Sequence, residues 1–543
     1  MRVVRRTFQA GTMVVLAACA VMSCDVPPPQ QTAREPILRY RMDAPPPNLD
    51  PVRANDNNSL FYIYQIFDGL VEFAPGTLDV QAAVAASWTI SQDGKVYTFK
   101  LKEGLTFHNG MPVTADDVVY SLRRGLTKST QSQKRDFLAP LDGSGPFWDG
   151  ETGKLPGAAA PDSGTVVLTL TEPSPQFLTV LATEAGSIVP RRVYEDPEQT
   201  YLRQPVGCGP FTMASFEPDI AITLARFNDH WKTRPNDGGL DAIRVRFIRD
   251  ASTALEEYRT GGIDFTYELP PGQRAQIQTE MPAHFHHGKQ LWIMYLAFNH
   301  HAGPFAGNPT LRRAIAHAID TDYIVRNLQE GKDWVATGVI PPGMPGHVEG
   351  EAPWRYDVAR ARALMVEAGY PEGRGLPPID YLTNETQGFR RILDRLTSDL
   401  GAIGVKLNPR EMDFGAFLGE LTAQGGPRAP LWRMTWFADW PDPDNFLGLQ
   451  FFTGAAGNYA RYSNPVFDDL VARARRETDP AVRADLFRQA DRVLMDDVAL
   501  VPIYWYGSDI LLRPEFAGWK HSPLGPYAIA WEEVYLDRDG SSG

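Results

Sequence analysis

Cysteine is scarce in this chain: three in 543 residues, at Cys19, Cys24 and Cys208. Two of them fall close to the N-terminus, so no disulfide framework can staple the rest, and a fold of this size must rest on its apolar core. Positive charge is also in deficit. The formal net charge is -13, which argues against a nucleic-acid partner, because no basic patch offsets the acid. Beyond residue 22 no apolar run approaches the roughly 20 residues that span a bilayer. Internal repeats are absent. So are Gly-x-Ser-x-Gly, a phosphate loop and His-Glu-x-x-His, which removes the common signatures of hydrolases and nucleotide-binding enzymes. Acids are abundant, but none pair at a recognisable glycosidase-like site. What the chain does have is aromatic surface: 12 Trp, 20 Tyr and 27 Phe, more than a core of this size needs. Aromatic-lined clefts are one explanation. The length predicts about three or four structural units rather than one core.

The first residues read as an export signal. Arg2, Arg5 and Arg6 form a positive start, and an apolar stretch from about Thr12 to Met22 follows, too short to span a membrane. Arg5-Arg6-Thr7-Phe8 is also a partial match to a twin-arginine signal. Leu16-Ala-Ala-Cys19 resembles the lipobox of bacterial lipoproteins, and Val21-Met-Ser-Cys24 is a weaker second candidate. Residues 1–23 are therefore expected to be a lipoprotein signal segment, cleaved at Cys19 or Cys24. Acyl chains on that cysteine would anchor the chain to a membrane, and residues 24–35, rich in proline and glutamine, would be a stiff tether. Cys208 is expected to be a small buried residue without a disulfide partner.

Strand-like and helix-like segments alternate through the rest. Tyr97, Phe99 and Leu101 alternate with Val96, Thr98 and Lys100 as a half-buried strand would, and Val166, Leu168 and Leu170 do the same. Thr114 reads as an N-cap with acids in the first turn. Later, Leu311, Ala314, Ile315, Ala318 and Ile319 make one helical stripe, and Phe389, Ile392, Leu393, Leu396 and Leu400 another, closed by Gly401. Asp357 is placed to cap a helix ended by Gly369. Asp479-Pro480 starts a helix whose stripe is Val482, Leu486, Ala490 and Val493. Asp142 to Gly164 reads as a loop within an inserted unit. The mixture predicts α/β lobes.

One segment concentrates chemistry: Arg433-Met-Thr-Trp436-Phe-Ala-Asp439-Trp440-Pro-Asp-Pro-Asp-Asn445. If Arg433 to Trp436 is a strand, Arg433 and Trp436 lie on opposite faces. Asp439 then caps the following turn, and Pro441-Asp-Pro443-Asp stops any regular element. A carboxylate and a guanidinium beside aromatic surface are what a zwitterion needs; an ordinary charged loop would look the same. The alternative chemistry is metal binding by His284, His286, His287, His300 and His301. No acidic or cysteine ligand stands at a metal-site spacing from them, so no metal and no cofactor are expected.

Several phrases, in order, carry a resemblance: Asn48-Leu-Asp-Pro51, Ile66-Phe-Asp-Gly-Leu70, Asp93 through Val118, Pro205-Val-Gly-Cys-Gly-Pro-Phe211, Asn299 through Phe305, Leu311 through Asp320, and Glu367-Ala-Gly-Tyr370. Together they resemble the peptide-binding members of the extracellular solute-binding family 5, which serve ABC importers. Cys208 departs from the usual threonine. The resemblance implies an α/β, two-lobed periplasmic binding protein fold of type II, with an extra α/β domain inserted in the first lobe and a hinge between lobes. Lobe I would be 36–62, 190–297 and 508–543, the insert 63–189, and lobe II 298–507. Ligand would be trapped by hinge closure, and the closed form recognised by the membrane permease. By the same resemblance, Asp439 binds a peptide α-ammonium, Trp436 packs on ligand side chains, and Arg433 takes a short peptide's carboxylate. Phe437 joins that ligand-binding set, Asn384 enters it through the loop 381–388, and Asn58 through Asn55-Asp-Asn-Asn58 of lobe I. A monomer that hydrolyses nothing is implied. A nickel complex, an opine or a sugar is the alternative ligand, and a metal-dependent hydrolase the alternative class.

Overall fold

The computed structural model describes residues 35–195, 204–233, 239–350, 354–384, 387–423 and 426–537. The signal segment, the tether, Cys19 and Cys24 lie outside the described residues. Two long antiparallel strands, Phe285–Phe298 and Leu500–Leu512, form the middle of an 11-stranded sheet. At about 3.3 Å per residue the first reaches roughly 45 Å, beyond the usual 3–10-residue strand, so it serves two sheet halves in turn. On one side lie Leu431–Phe437, Ile379–Asn384 and Leu407–Met412; on the other lie Phe265–Thr266, Ile37–Met42, Ala242–Phe247, Ala221–Arg226 and Phe211–Glu217.

Each half has its own core. Leu38, Tyr40, Ile243, Val245 and Ile510 pack with the C-terminal Trp531 and Val534 in the first. The second half is buried on both faces: Ile293, Trp432 and Leu500 feed one cluster, and Met294, Leu431 and Val501 the other. Strands covered on both faces read as continuous apolar runs, as the sequence from Leu291 to Phe298 does. Between the halves the pairing of the two long strands is interrupted. Lys289 pairs with Gly507 and Ile293 with Trp505, with a register shift between. Gln290, Leu291 and Trp292 thus sit where the sheet changes from one half to the other, and such breaks bend and twist strands.

The inserted unit is a four-stranded antiparallel sheet, in the order Ala85–Ile90, Val96–Leu101, Thr165–Thr169, Ala158–Asp162. Tyr97 and Phe99 face Leu168 and Val166 across it, all buried. Helix Ala115–Gly125 covers it; Asp117 accepts from the backbone N–H of its cap, Thr114, at 3.0 Å. The stretch 142–164 is more ordered than the sequence implied, holding the turn of helix Ser144–Trp148 and strand Ala158–Asp162. Cys208 is buried in the core of this unit as a free thiol, its pKa pushed up by burial. Its glycine neighbours are needed for close approach: a Cβ on Gly207 would lie 2.1 Å from the Ile66 carbonyl oxygen.

The later helices follow their caps. Asn308 caps Pro309–Ala318, Asp357 caps Val358–Glu367 and Asp479 caps Pro480–Asp496. One stripe residue is misplaced: Val482 is 48% exposed, because the last of these helices buries the face of Arg483, Phe487, Ala490 and Leu494, and Val482 lies off that face.

Candidate functional site

Strand Leu431–Phe437 pairs antiparallel with the first long strand, from Phe298↔Leu431 to Trp292↔Phe437. Among the described residues its other edge is covered by Ile379–Asn384 at Leu431 and Trp432. Alternation sends Trp432, Met434 and Trp436 to one face and Arg433, Thr435 and Phe437 to the other. After Phe437 the Ala438 amide still donates to Leu291 O at 3.0 Å, and Asp439 then leaves the sheet. The Pro-rich run does not end regular structure here, as its prolines would imply. Asp442 caps a four-residue helix, Pro443–Phe446, with Pro443 at the first position, where no N–H is required.

That helix delivers Asn445, which is 0% exposed. Its Oδ1 accepts from Trp436 Nε1 at 2.9 Å and from the Asp439 amide at 3.3 Å, while its Nδ2 donates to Asp439 Oδ2 at 3.1 Å. Asn445 thereby fixes the carboxylate, a role that sequence reasoning missed. The only signal was an amide inside the charged run. Asp439 forms no ion pair among the described residues. Burial, aided by the charges of Glu184 and Asp136 and opposed by Asn445 and Lys134, pushes its pKa up to about 6.

Asp439 opens onto a cavity of about 260 Å³, shared with Asn55, Tyr64, Lys134, Glu184 and Tyr527. A larger cavity of about 560 Å³ adjoins it, with Phe437, Ala438, Leu524 and Tyr527 common to both walls. The larger one lies over the strand interruption: Gln290, Leu291, Trp292, Tyr506 and Gly507 line it. Trp292 packs edge-on against both Phe437 and Tyr506. Arg274, Lys332 and Arg391 supply positive charge to its wall, and Glu268, Glu330 and Asp509 negative charge. Arg274 is paired to Asp509 at 2.8 Å.

The sequence-predicted residues separate. Asp439 and Phe437 line the cavities. Arg433 borders neither. It is buried, its guanidinium lies 3.6 Å from the centre of the Phe389 ring, and it donates to Thr383, Thr435 and Asn384. Burial lowers its pKa. Asn384 is thus a partner of Arg433 rather than a cavity residue. Trp436 lies on the opposite strand face, as alternation requires, packed against the core below. Asn58 donates to Asp43 Oδ1 and Ala44 O; its neighbours Asn55 and Asn57 reach the cavities in its place. Helix Asn57–Ile66, capped by Asp56, fixes which asparagine points where. The histidines are each engaged separately: His284 with Tyr258, His286 on Trp519, His287 with Asp509 and His300 with Ala499 O. Among the described residues no group of three or more His, Cys, Asp or Glu side chains is arranged to hold a metal ion.

Comparison with known proteins agrees with this architecture. The chain is 29% identical to heme-binding protein A of Haemophilus influenzae over 85% of each chain. It is 27% identical to the dipeptide-binding protein of Escherichia coli, over 85% of this chain and 88% of that one. Its fold matches an ABC transporter-associated periplasmic binding protein, DppA from Helicobacter pylori in complex with peptide STSA. There the TM-score is 0.74 and the identity 27%, over 92% of this chain and 98% of that one. Residues 79–458 match the bacterial extracellular solute-binding proteins, family 5 Middle. The fold is the two-lobed one of periplasmic binding proteins, and the family is one of binding proteins rather than enzymes. The chain belongs to the bacterial extracellular solute-binding proteins of family 5.

Proposed function

We propose that the chain captures short peptides between its two lobes and delivers them to the permease of an ABC importer. The observation that carries this is Asp439: a carboxylate at a cavity wall, oriented by Asn445 and lacking a protein cation among the described residues. Burying such a charge is costly until a cation arrives, and a peptide's α-ammonium is such a cation. Two features support the rest of a peptide. Among the described residues the edge of Arg433–Phe437 away from the long strand is unpaired beyond Trp432, so an extended ligand can add there as a strand and bind through its main chain. The larger cavity is within the range of small-ligand sites and has aromatic walls. Arg391 borders it, hydrogen-bonded to Leu328 O at 2.6 Å and without a carboxylate partner among the described residues. It replaces Arg433 as the partner for a ligand carboxylate.

Lobes of roughly 36–62, 190–297 and 508–543 and of roughly 298–507, with the insert at 63–189, would close about the crossover of the two long strands, where Gln290–Trp292 interrupt the pairing and residues 293–297 already pack with the second lobe. The same reading keeps a signal segment at 1–23, a lipid on Cys19 or Cys24, a tether at 24–35 and a monomeric protein held at a membrane outside the cytoplasm. A planar anionic ligand is the second reading, favoured by Trp292, Phe437 and Tyr506 beside Lys332 and Arg391. Native mass spectrometry of the soluble domain, followed by release and sequencing of what co-purifies, tests both. Short peptides of mixed sequence support the first reading. A single non-peptide mass, with visible absorbance if it is a tetrapyrrole, overturns it in favour of the second.

A further inference from the structure

The smaller cavity holds a second carboxylate. Glu184, from the inserted unit, is 7% exposed and lines the cavity with Asp439. One of its oxygens accepts from Lys134 Nζ at 2.5 Å, and Lys134 also donates to Ala54 O at 2.8 Å. The other oxygen has no hydrogen-bond partner among the described residues and is not among the sealed polar atoms of the core; Glu184 borders this cavity and also a smaller one of about 80 Å³ beside Asp68, Glu72 and Lys232. Lys134 makes no ion pair with Asp439. The charges then count simply: two carboxylates and one lysine leave a single uncompensated negative charge in a mostly buried space. One monovalent cation balances it, and Tyr64 and Tyr527 stand on the same wall to take a third N–H.

We propose that Glu184 is a specificity residue of the ammonium site: a ligand's primary ammonium is held jointly by Asp439 and Glu184, one from each side of the cleft. The inference rests on the peptide reading above and adds to it a reason for closure. An ammonium shared by Asp439 of the second lobe and Glu184 of the insert is bound fully only when the two are together, so differential affinity favours the closed form. It also selects chemistry. A primary ammonium offers three donors; an acetylated amine offers one and no charge.

Calorimetric titration at neutral pH with trialanine and N-acetyl-trialanine tests this in the wild type, Glu184→Gln, Asp439→Asn and the double variant. Expected is a loss of about fivefold or more in trialanine affinity for Glu184→Gln, with N-acetyl-trialanine affinity unchanged. The double variant should lose less than the product of the single losses, because both groups serve one ammonium. If Glu184→Gln does not fold, Glu184→Asp, which keeps the charge but withdraws it, should show the same selective loss on a smaller scale. Equal effects on both ligands, or none, overturn the role of Glu184; a selective loss in Asp439→Asn would then leave the peptide reading standing. No selective loss in Asp439→Asn, or no binding of trialanine by the wild type, overturns both.

Discussion

The two ends of strand Leu431–Phe437 carry opposite charges and meet opposite fates. At one end, Arg433 lies beneath Phe389 and spends its donors on Thr383, Thr435 and Asn384. Just past the other end, Asp439 has one side-chain donor among the described residues, Asn445, and an open cavity in front of it. Both are largely buried ions. The difference is compensation: Arg433 is satisfied by the protein, whereas Asp439 has no ion-pair partner among the described residues. A buried charge therefore points to a ligand only when its partners have been counted, and nearness in sequence to another charge says little.

Substitution at the open end should have the largest effect. Asp439→Ala is expected to weaken trialanine binding at least tenfold, since an ammonium buried without its partner costs on the order of 2–5 kcal/mol. Unchanged affinity by calorimetry would erase the distinction between the two ends. At the satisfied end the prediction inverts. Arg433→Ala strips the donor from three polar side chains and the cation from Phe389, so it should cost about 1–3 kcal/mol of folding stability. Trialanine affinity should change less than about twofold. Denaturant unfolding with parallel titration reads both quantities. A large affinity loss at unchanged stability would return Arg433 to the binding site.

Much of this was legible in the sequence, for reasons that differ by residue. Tyr97, Phe99, Val166 and Leu168 alternate because one face of their sheet is wet. The strand Phe285–Phe298 gives no such signal, because its second half is covered on both faces. Asp439 is readable as the first of three acids after an aromatic strand, within a family-like phrase, and the structure puts it at a cavity wall. Arg433 was not, because its fate is decided by Phe389, on a helix from a distant part of the chain. The cavity face of Glu184 and the orientation of Asn58 depend on segments brought together only by folding. Val482 shows the limit of a helical stripe: the spacing is helical, but the buried face is centred on Arg483, Ala490 and Leu494, and Val482 falls to its side.

Acidity sharpens the comparison at a smaller scale. The Asp439 pKa is pushed up to about 6 by burial, and only the ionised form attracts an ammonium. Trialanine affinity should therefore hold above that value and fall as pH drops, by about tenfold per unit well below it. Asp439→Asn should flatten this dependence. The ligand-free fold should respond in the opposite sense. An aspartate whose folded pKa lies above its unfolded value contributes least where it is ionised, so its contribution to stability rises as pH falls from about 6 to about 4. A flat affinity profile in the wild type would mean that Asp439 does not meet a cation.

A smaller effect than that of Asp439→Ala belongs to the residue that orients the open end. Asn445→Ala removes one donor from the Asp439 carboxylate and the shared acceptor of Trp436 Nε1 and the Asp439 amide. It leaves the charge itself in place. Trialanine affinity should fall by about threefold, because the carboxylate loses a hydrogen bond that aims it but keeps its charge. The midpoint of the pH profile should move upward, because Asn445 is the hydrogen bond that lowers the Asp439 pKa. Calorimetry across a pH series reads both. A loss of affinity without movement of the midpoint would assign Asn445 to holding the turn rather than the carboxylate.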